Sequence, residues 1–297
     1  MSEQLTKIQE KEVSHKKIGL ALGGGAAKGL AHIGVLKALQ QAQIPIDYLA
    51  GSSMGALVGG WFALNKSVHL LEGLFLQIKD EEVFSEEEAI EKKDGTLFKN
   101  HTIVKFIEKA FKDKSFNDCQ IPFAAVATDV ETGEQIVLKE GQLSDAIKAS
   151  IAIPIIFKPV KINSRLLCDG CLTNPVPADI VKKMGADFVI ASDVSSRWLN
   201  PEEELKKPKD FYVMFYEIFS SFSYQISKRV LENADLVLRP PVLTFSSTAF
   251  NQTKEIAARG YQEAKKYLNQ IREKTGLQKG PETFFEKFIN FLIYDED

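Results

Sequence analysis

The chain of 297 residues has few cysteines, few histidines, almost no net charge and no long apolar run. Each shortage excludes something. Three cysteines, Cys119, Cys168 and Cys171, cannot build a disulfide framework, so a reducing, cytoplasmic setting is expected. Cys168 and Cys171 form a CxxC, but a zinc site needs two further ligands and no second CxxC exists. A redox CxxC opens a helix, whereas this pair spans a strand end. No metal and no cofactor is therefore expected, and no EF-hand loop is present for calcium. Lys+Arg number 37 against 40 Asp+Glu, a net charge of -3, which removes a nucleic-acid or polybasic-membrane reading based on charge. No apolar stretch reaches the roughly 18 residues of a membrane span. The polar start, MSEQLTKIQEKEVSHKK, has no apolar core segment of the secretory kind, so no signal peptide is expected.

What is present is ordinary globular material. Hydrophobic residues make up 44%, and 20 Phe, 7 Tyr and 2 Trp supply enough apolar area to exclude a disordered chain. After a polar lead-in over residues 1–16, Lys17–Leu22 reads as a buried strand running into three glycines. Residues 28–43 follow a helical pattern that Pro45 closes. Tyr48–Gly51 is a second short strand, and residues 54–64 form a nearly all-apolar, hence buried, helix. Helices are expected over 66–116, separated by the charged, solvated stretch Lys79–Asp94. Pro122–Val130 and Gln135–Lys139 read as a hairpin, 143–150 as a helix, and Val160–Cys168 as one strand. Asp187–Val194 and Asp235–Arg239 are further strands, and 251–270 and 282–293 are helical. The repeated strand–turn–helix order predicts an α/β fold with a mainly parallel central sheet flanked by helices. The expected division is a lead-in over 1–16, a body over 17–270 and a helical tail over 271–297.

Two turns in this order carry chemistry. Gly51-Ser52-Ser53-Met54-Gly55 lies between an apolar strand and an apolar helix, the context of a nucleophile elbow. Its small residues, Gly51 and Gly55, permit the sharp bend that exposes the Ser53 hydroxyl near a helix N-terminus. Ser52 is the neighbour, expected to cap the helix. A plain connecting turn is the competing reading. An elbow serine needs a base, yet the histidines are His15, His32, His69 and His101, and none follows residue 101. The hydrolase order of serine, acid and then histidine is therefore not expected, with His32 left open.

Gly23-Gly24-Gly25-Ala26-Ala27-Lys28-Gly29 also follows a strand and opens a helix. Such a loop holds a phosphate, or supplies the N–H donors of an oxyanion hole, or is a simple helix start. A Walker loop fails because Gly29 and Leu30 follow Lys28. A dinucleotide fingerprint is weak because Lys28 stands where a glycine is needed. Two such turns at adjacent strand ends favour the oxyanion hole.

With Asp169-Gly170, these turns make a recognisable set. The chain resembles the patatin-like phospholipase family, closest to its short bacterial branch. The matching residues are Gly23 to Gly29 with Leu30-Ala31-His32-Ile33-Gly34-Val35-Leu36, then Gly51-Ser52-Ser53-Met54-Gly55, then Asp169-Gly170. Ala149-Ser150-Ile151-Ala152-Ile153-Pro154 and Asp193-Val194 are also similar. The resemblance covers roughly residues 17–265 and implies a patatin-like three-layer fold. It implies a dyad without histidine, in which Ser53 is the nucleophile and Asp169 the base, and an oxyanion hole made by the backbone N–H groups of Gly24, Gly25 and Ala26. The reaction it implies is cleavage of acyl esters by a serine lipid acyl hydrolase through an acyl-enzyme. Ala26 stands where plant patatins have glycine, Lys28 where many members have arginine, and Cys171 where glycine or alanine is usual. A Cys168–Cys171 disulfide that distorts the Asp169 turn would be a redox switch.

The expected partner is a lipid or acyl-ester substrate, with peripheral membrane contact at the inner surface at most, no nucleic acid, and room for an oligomer. Phe211–Ile226, with seven aromatics in sixteen residues, is either a lining for the acyl chain or a buried core helix. The alternative function is a non-catalytic lipid- or partner-binding regulator that keeps the fold. A nucleotide-binding protein using the glycine loop ranks third.

Overall fold

The structure, a computed structural model, describes residues 15–68, 71, 73, 75, 101–195 and 211–278. The lead-in up to residue 14, His69, the Lys79–Asp94 stretch and the helix expected over 282–293 lie outside the described residues.

The first strand, β1 (Ile18–Leu22), is buried throughout, as its unbroken apolar run requires of a parallel strand covered on both faces. A short 3-10 segment (Ala26–Leu30) leads into α1 (Ala31–Gln41). Next come β2 (Tyr48–Ser52) and α2 (Met54–Asn65), then α3 (His101–Ala110) and β3 (Phe123–Asp129). β4 (Gln135–Leu138) returns antiparallel to β3, as the turn at Thr132-Gly133 predicts. The chain continues through α4 (Leu143–Ser150), β5 (Val160–Ile162), β6 (Arg165–Asp169), α5 (Ala178–Lys183), β7 (Phe188–Ser192), α6 (Phe211–Val230), β8 (Leu236–Leu238) and α7 (Thr253–Thr275).

One sheet joins the eight strands among the described residues, in the order β5-β6-β3-β2-β1-β7-β8, with β4 added on β3. β3, β2, β1, β7 and β8 run parallel to one another, and β4, β5 and β6 form the antiparallel part. The two faces differ in side-chain size. On one, Ile18, Leu20 and Leu22 join α1, α2 and α7 in the main core. On the other, small residues (Ala21, Ala50, Ala124, Ala191) let α5 lie close, with Ile180 and Val181 packed on them. α1 and α7 also approach closely, since a Cβ on Gly260 would stand 1.8 Å from the Ala31 carbonyl oxygen.

The segment read as one strand over Val160–Cys168 is instead a hairpin of β5 and β6. Asn163, with φ at +55°, makes the turn in the left-handed region that asparagine tolerates. This hairpin decides where Asp169 goes. β4 pairs with Ala125–Thr128 on one edge of β3. β2 pairs with Phe123–Val126 and β6 with Ala127–Asp129, so both overlap the span of β4 and must lie on the opposite edge. The two strands therefore meet head to head. Val126 faces Ser52 and the adjacent Ala127 faces Asp169, which brings residues 116 apart in sequence to the same point of the sheet.

Candidate active site

Ser53 sits between the end of β2 and the start of α2 with φ +53° and ψ −124°. A non-glycine residue there is strained by about 1–3 kcal/mol, a cost typical of functional turns. The flanking glycines make the bend possible. A Cβ on Gly51 would lie 2.3 Å from the Gly55 carbonyl oxygen, and one on Gly55 would lie 2.1 Å from that of Leu22. Those neighbours are backbone and cannot move aside, so the elbow accepts only glycine at either position.

Ser53 occupies the N-cap position of α2, but its hydroxyl makes no capping bond. It donates instead to Asp169 Oδ2 at 2.7 Å. The other carboxylate oxygen, Oδ1, accepts the Cys171 backbone N–H at 2.8 Å. Asp169 is fully buried, and burial pushes its carboxyl up from the usual 3.8 to about 6, against the lowering effect of these two hydrogen bonds. A carboxylate destabilised in this way gains by taking a proton, and the hydroxyl proton of Ser53 is the nearest one.

Ser52 does not cap the helix as expected. It ends β2 fully buried, with its hydroxyl 3.6 Å from Cys171 Sγ, and Ser53 holds the cap position. The Ala149–Pro154 segment ties both candidate residues in place. Ser150 Oγ accepts the Ser53 backbone N–H at 3.0 Å and donates to the Val126 carbonyl at 2.6 Å. The Ala152 carbonyl accepts the Asp169 N–H at 2.9 Å. The sequence alone assigns this segment no task. A serine at the end of a helix that Pro154 stops is its only signal in the sequence.

In the glycine loop, the Gly23 N–H donates to the Ser192 carbonyl and the Gly24 N–H to that of Pro175, each at 3.0 Å. Gly24 is thus engaged elsewhere. The N–H groups of Gly25 and Ala26 have no hydrogen-bond partner among the described residues. Ala26 has φ +47°, so the alanine adopts the left-handed conformation that glycine takes at lower cost. The Lys28 N–H closes the turn on the Gly25 carbonyl, and Gly29 packs against Met54 at the start of α2. Cys171 Sγ fills the space beside Gly24, where a Cβ would lie 2.1 Å away. Gly170 follows Asp169 directly, with its Cα side against the Val126 carbonyl.

His32 is fully buried and is no base. Its Nε2 lies 2.7 Å from the Gly23 carbonyl, so that nitrogen carries the proton and donates, and Nδ1 accepts from Ser192 Oγ at 3.0 Å. Burial pulls its pKa down to about 4, which keeps the ring neutral. The ring pins the glycine turn to β7.

A family model described as patatin-like phospholipase matches residues 20–182, more than half of the chain. The chain belongs to the patatin-like phospholipase family. It is 31% identical over 277 residues to the human protein named patatin-like phospholipase domain-containing protein 6, covering 84% of this chain and 20% of the relative. It is 32% identical over 198 residues to an uncharacterized NTE family protein of Mycobacterium tuberculosis, covering 64% of this chain and 52% of that one. The chain thus spans about a fifth of the length of the human relative. Among solved structures, VipD from Legionella pneumophila superposes with a TM-score of 0.45 at 13% identity, covering 86% of this chain and 67% of that one.

Where this member departs from the patatin-like pattern, at Cys171, the thiol is buried and its pKa is pushed well above the usual range. Burial raises Cys168 to about 11. Neither is a ready thiolate, which argues against a redox switch between them. Cys171 instead joins Ala26, Ile153, Ile156, Tyr216 and Phe219 in an apolar cluster beside Ser53. The aromatic segment is not the fully buried core helix of one expectation: Tyr216 and Phe219 on one face of α6 join this cluster, and Met214, Ile218 and Phe222 on the other are exposed. Asp193 is buried and raised, with Oδ1 accepting from the Ser195 N–H and hydroxyl, and Val194 flanks Gly25. A cavity of about 250 Å³ next to Asp193 includes neither Ser53 nor Asp169 in its lining. Among the described residues, no cluster of three or more His, Cys, Asp or Glu side chains is arranged to hold a metal, and no helix is long and apolar enough to cross a membrane.

Proposed function

We propose that this chain is a serine lipid acyl hydrolase working through a Ser53–Asp169 dyad. The observation that carries the reading is the 2.7 Å hydrogen bond from a strained elbow serine to a fully buried carboxylate. Family membership and the esterase and phospholipase names of its relatives support the substrate class. In the first half-reaction Ser53 Oγ attacks the ester carbonyl while its proton passes to Asp169 Oδ2. The Gly25 and Ala26 N–H groups stabilise the charge on the carbonyl oxygen, each donor being worth about 10²–10³ in rate. The C–O bond then breaks, the alcohol leaves with the proton from Asp169, and the acyl group stays on Ser53. Water attacks this acyl-enzyme and gives its proton to Asp169. The fatty acid leaves as that proton returns to Ser53 Oγ.

The apolar cluster of Ala26, Ile153, Ile156, Cys171, Tyr216 and Phe219 is the side on which an acyl chain would lie. Hydrolysis of a monomeric short-chain ester and of a lysophospholipid by the folded protein tests the reading. Turnover of both by wild type, and of neither by Ser53→Ala, is expected. Lipid binding without turnover by folded wild type would replace it with the non-catalytic regulator.

A further inference from the structure

We infer that the outer face of α6 docks the protein on a lipid surface carrying anionic head groups. Met214, Ile218 and Phe222 stand four residues apart, so they form one stripe along the helix. They are 48%, 51% and 67% exposed. Isolated surface hydrophobics need no explanation, but this set is not scattered. Of the seven large hydrophobic residues exposed among the described residues, three form the stripe and two more are Ile155 and Leu172. Ile155 lies between Ile153 and Ile156, and Leu172 follows Cys171, so both belong to segments that build the apolar cluster beside Ser53. Ile155 also has φ +73°, a conformation that costs a β-branched residue energy yet turns it outward.

The two faces of α6 connect the stripe to the site. Tyr216 and Phe219, on the inner face, pack against Ala26 and Cys171, and Ser223 Oγ donates to the Cys171 carbonyl at 3.2 Å. A surface lying on the stripe would therefore lie across α6 from the cluster that holds Ala26 and Cys171. The helix ends in Lys228 and Arg229, both exposed. An apolar stripe with a cationic end matches an interface with acyl chains beneath anionic phosphates. The use of this surface rests on the proposed lipid-ester activity, but its binding does not require turnover.

The test uses the full chain carrying Ser53→Ala, so that binding is read without hydrolysis. It is sedimented with vesicles of phosphatidylcholine, with and without phosphatidylglycerol. We expect binding to the mixed vesicles. The triple change Met214→Gln, Ile218→Gln and Phe222→Gln should weaken it tenfold or more. Lys228→Gln with Arg229→Gln should weaken it severalfold on the mixed vesicles alone, and added salt should do the same. In the active chain, the triple variant should keep turnover of a monomeric ester within about twofold and lose turnover of vesicle lipid. Circular dichroism checks that it folds. Unchanged vesicle binding by the triple variant, or no binding by the parent, would overturn the inference. So would light scattering that finds a dimer which the triple change converts to monomer. If the chain turned over no ester at all, the hydrolase reading would fail, and the sedimentation result would still decide this one.

Discussion

Replacing Asp169 by asparagine should abolish turnover and yet stabilise the fold above neutral pH. Burial lifts this carboxyl from 3.8 to about 6, so the folded state holds the proton more tightly than the unfolded chain does. The associated stability is fully present below pH 4 and is lost as pH rises through 6. A gap of two units corresponds to about 3 kcal/mol, the cost of keeping a bare carboxylate in that position. Asparagine has the same shape and no charge. Its Oδ1 still accepts the Cys171 N–H, and its amide replaces the acceptor for Ser53 by a donor. Losing that one acceptor costs about 1 kcal/mol at every pH. The variant should therefore be slightly less stable than wild type at pH 4 and more stable by about 2 kcal/mol at pH 8. Urea unfolding followed by circular dichroism, repeated across this range, measures the difference directly. A difference that stays constant from pH 4 to 8 would refute the reasoning, because it would mean that Asp169 titrates alike in both states. In wild type, kcat/KM should rise through about pH 6 and then level, since the base must be ionised.

Gly24→Ala should reduce turnover at least about tenfold, because its methyl would meet Cys171 Sγ at 2.1 Å; adding Cys171→Gly should recover part of it in a kinetic comparison of the single and double variants. Ser150→Ala leaves the Ser53 N–H and the Val126 carbonyl unpaired in a buried place, so we expect about 2–4 kcal/mol lower stability by urea unfolding and a fall in kcat with little change in KM. Gly260→Ala should destabilise by about 3 kcal/mol, since a Cβ there would meet the Ala31 carbonyl oxygen at 1.8 Å and force α1 and α7 apart; a thermal melt reads this, and an unchanged midpoint would contradict it.

The parts of this fold legible in the sequence are those set by local pattern. β1, β2 and α2 are continuous apolar runs bounded by glycine, and continuous burial is what such runs require. α5, six residues long, is not legible because so short a segment carries little periodicity. The β5–β6 hairpin looks like one strand in the sequence because apolar residues continue on either side of Asn163-Ser164. The site divides the same way. Glycine spacing marks the elbow, and the missing late histidine points away from a triad. That β2 and β6 meet head to head on β3 is a matter of long-range pairing, which no local pattern encodes. The roles of Ser150 and of the Gly24 N–H are likewise set by distant partners, Ser53 and Pro175.

The most direct test of the Ser53–Asp169 dyad is covalent labelling with a fluorophosphonate probe, which reports an activated serine without any choice of lipid. Purified wild type should label at Ser53, located by peptide mass analysis. Ser53→Ala should not label, and folded Asp169→Asn should label at least about a hundredfold more slowly. Equal labelling of Ser53 in the Asp169→Asn protein would contradict the dyad, and absence of labelling in folded wild type would contradict the hydrolase itself.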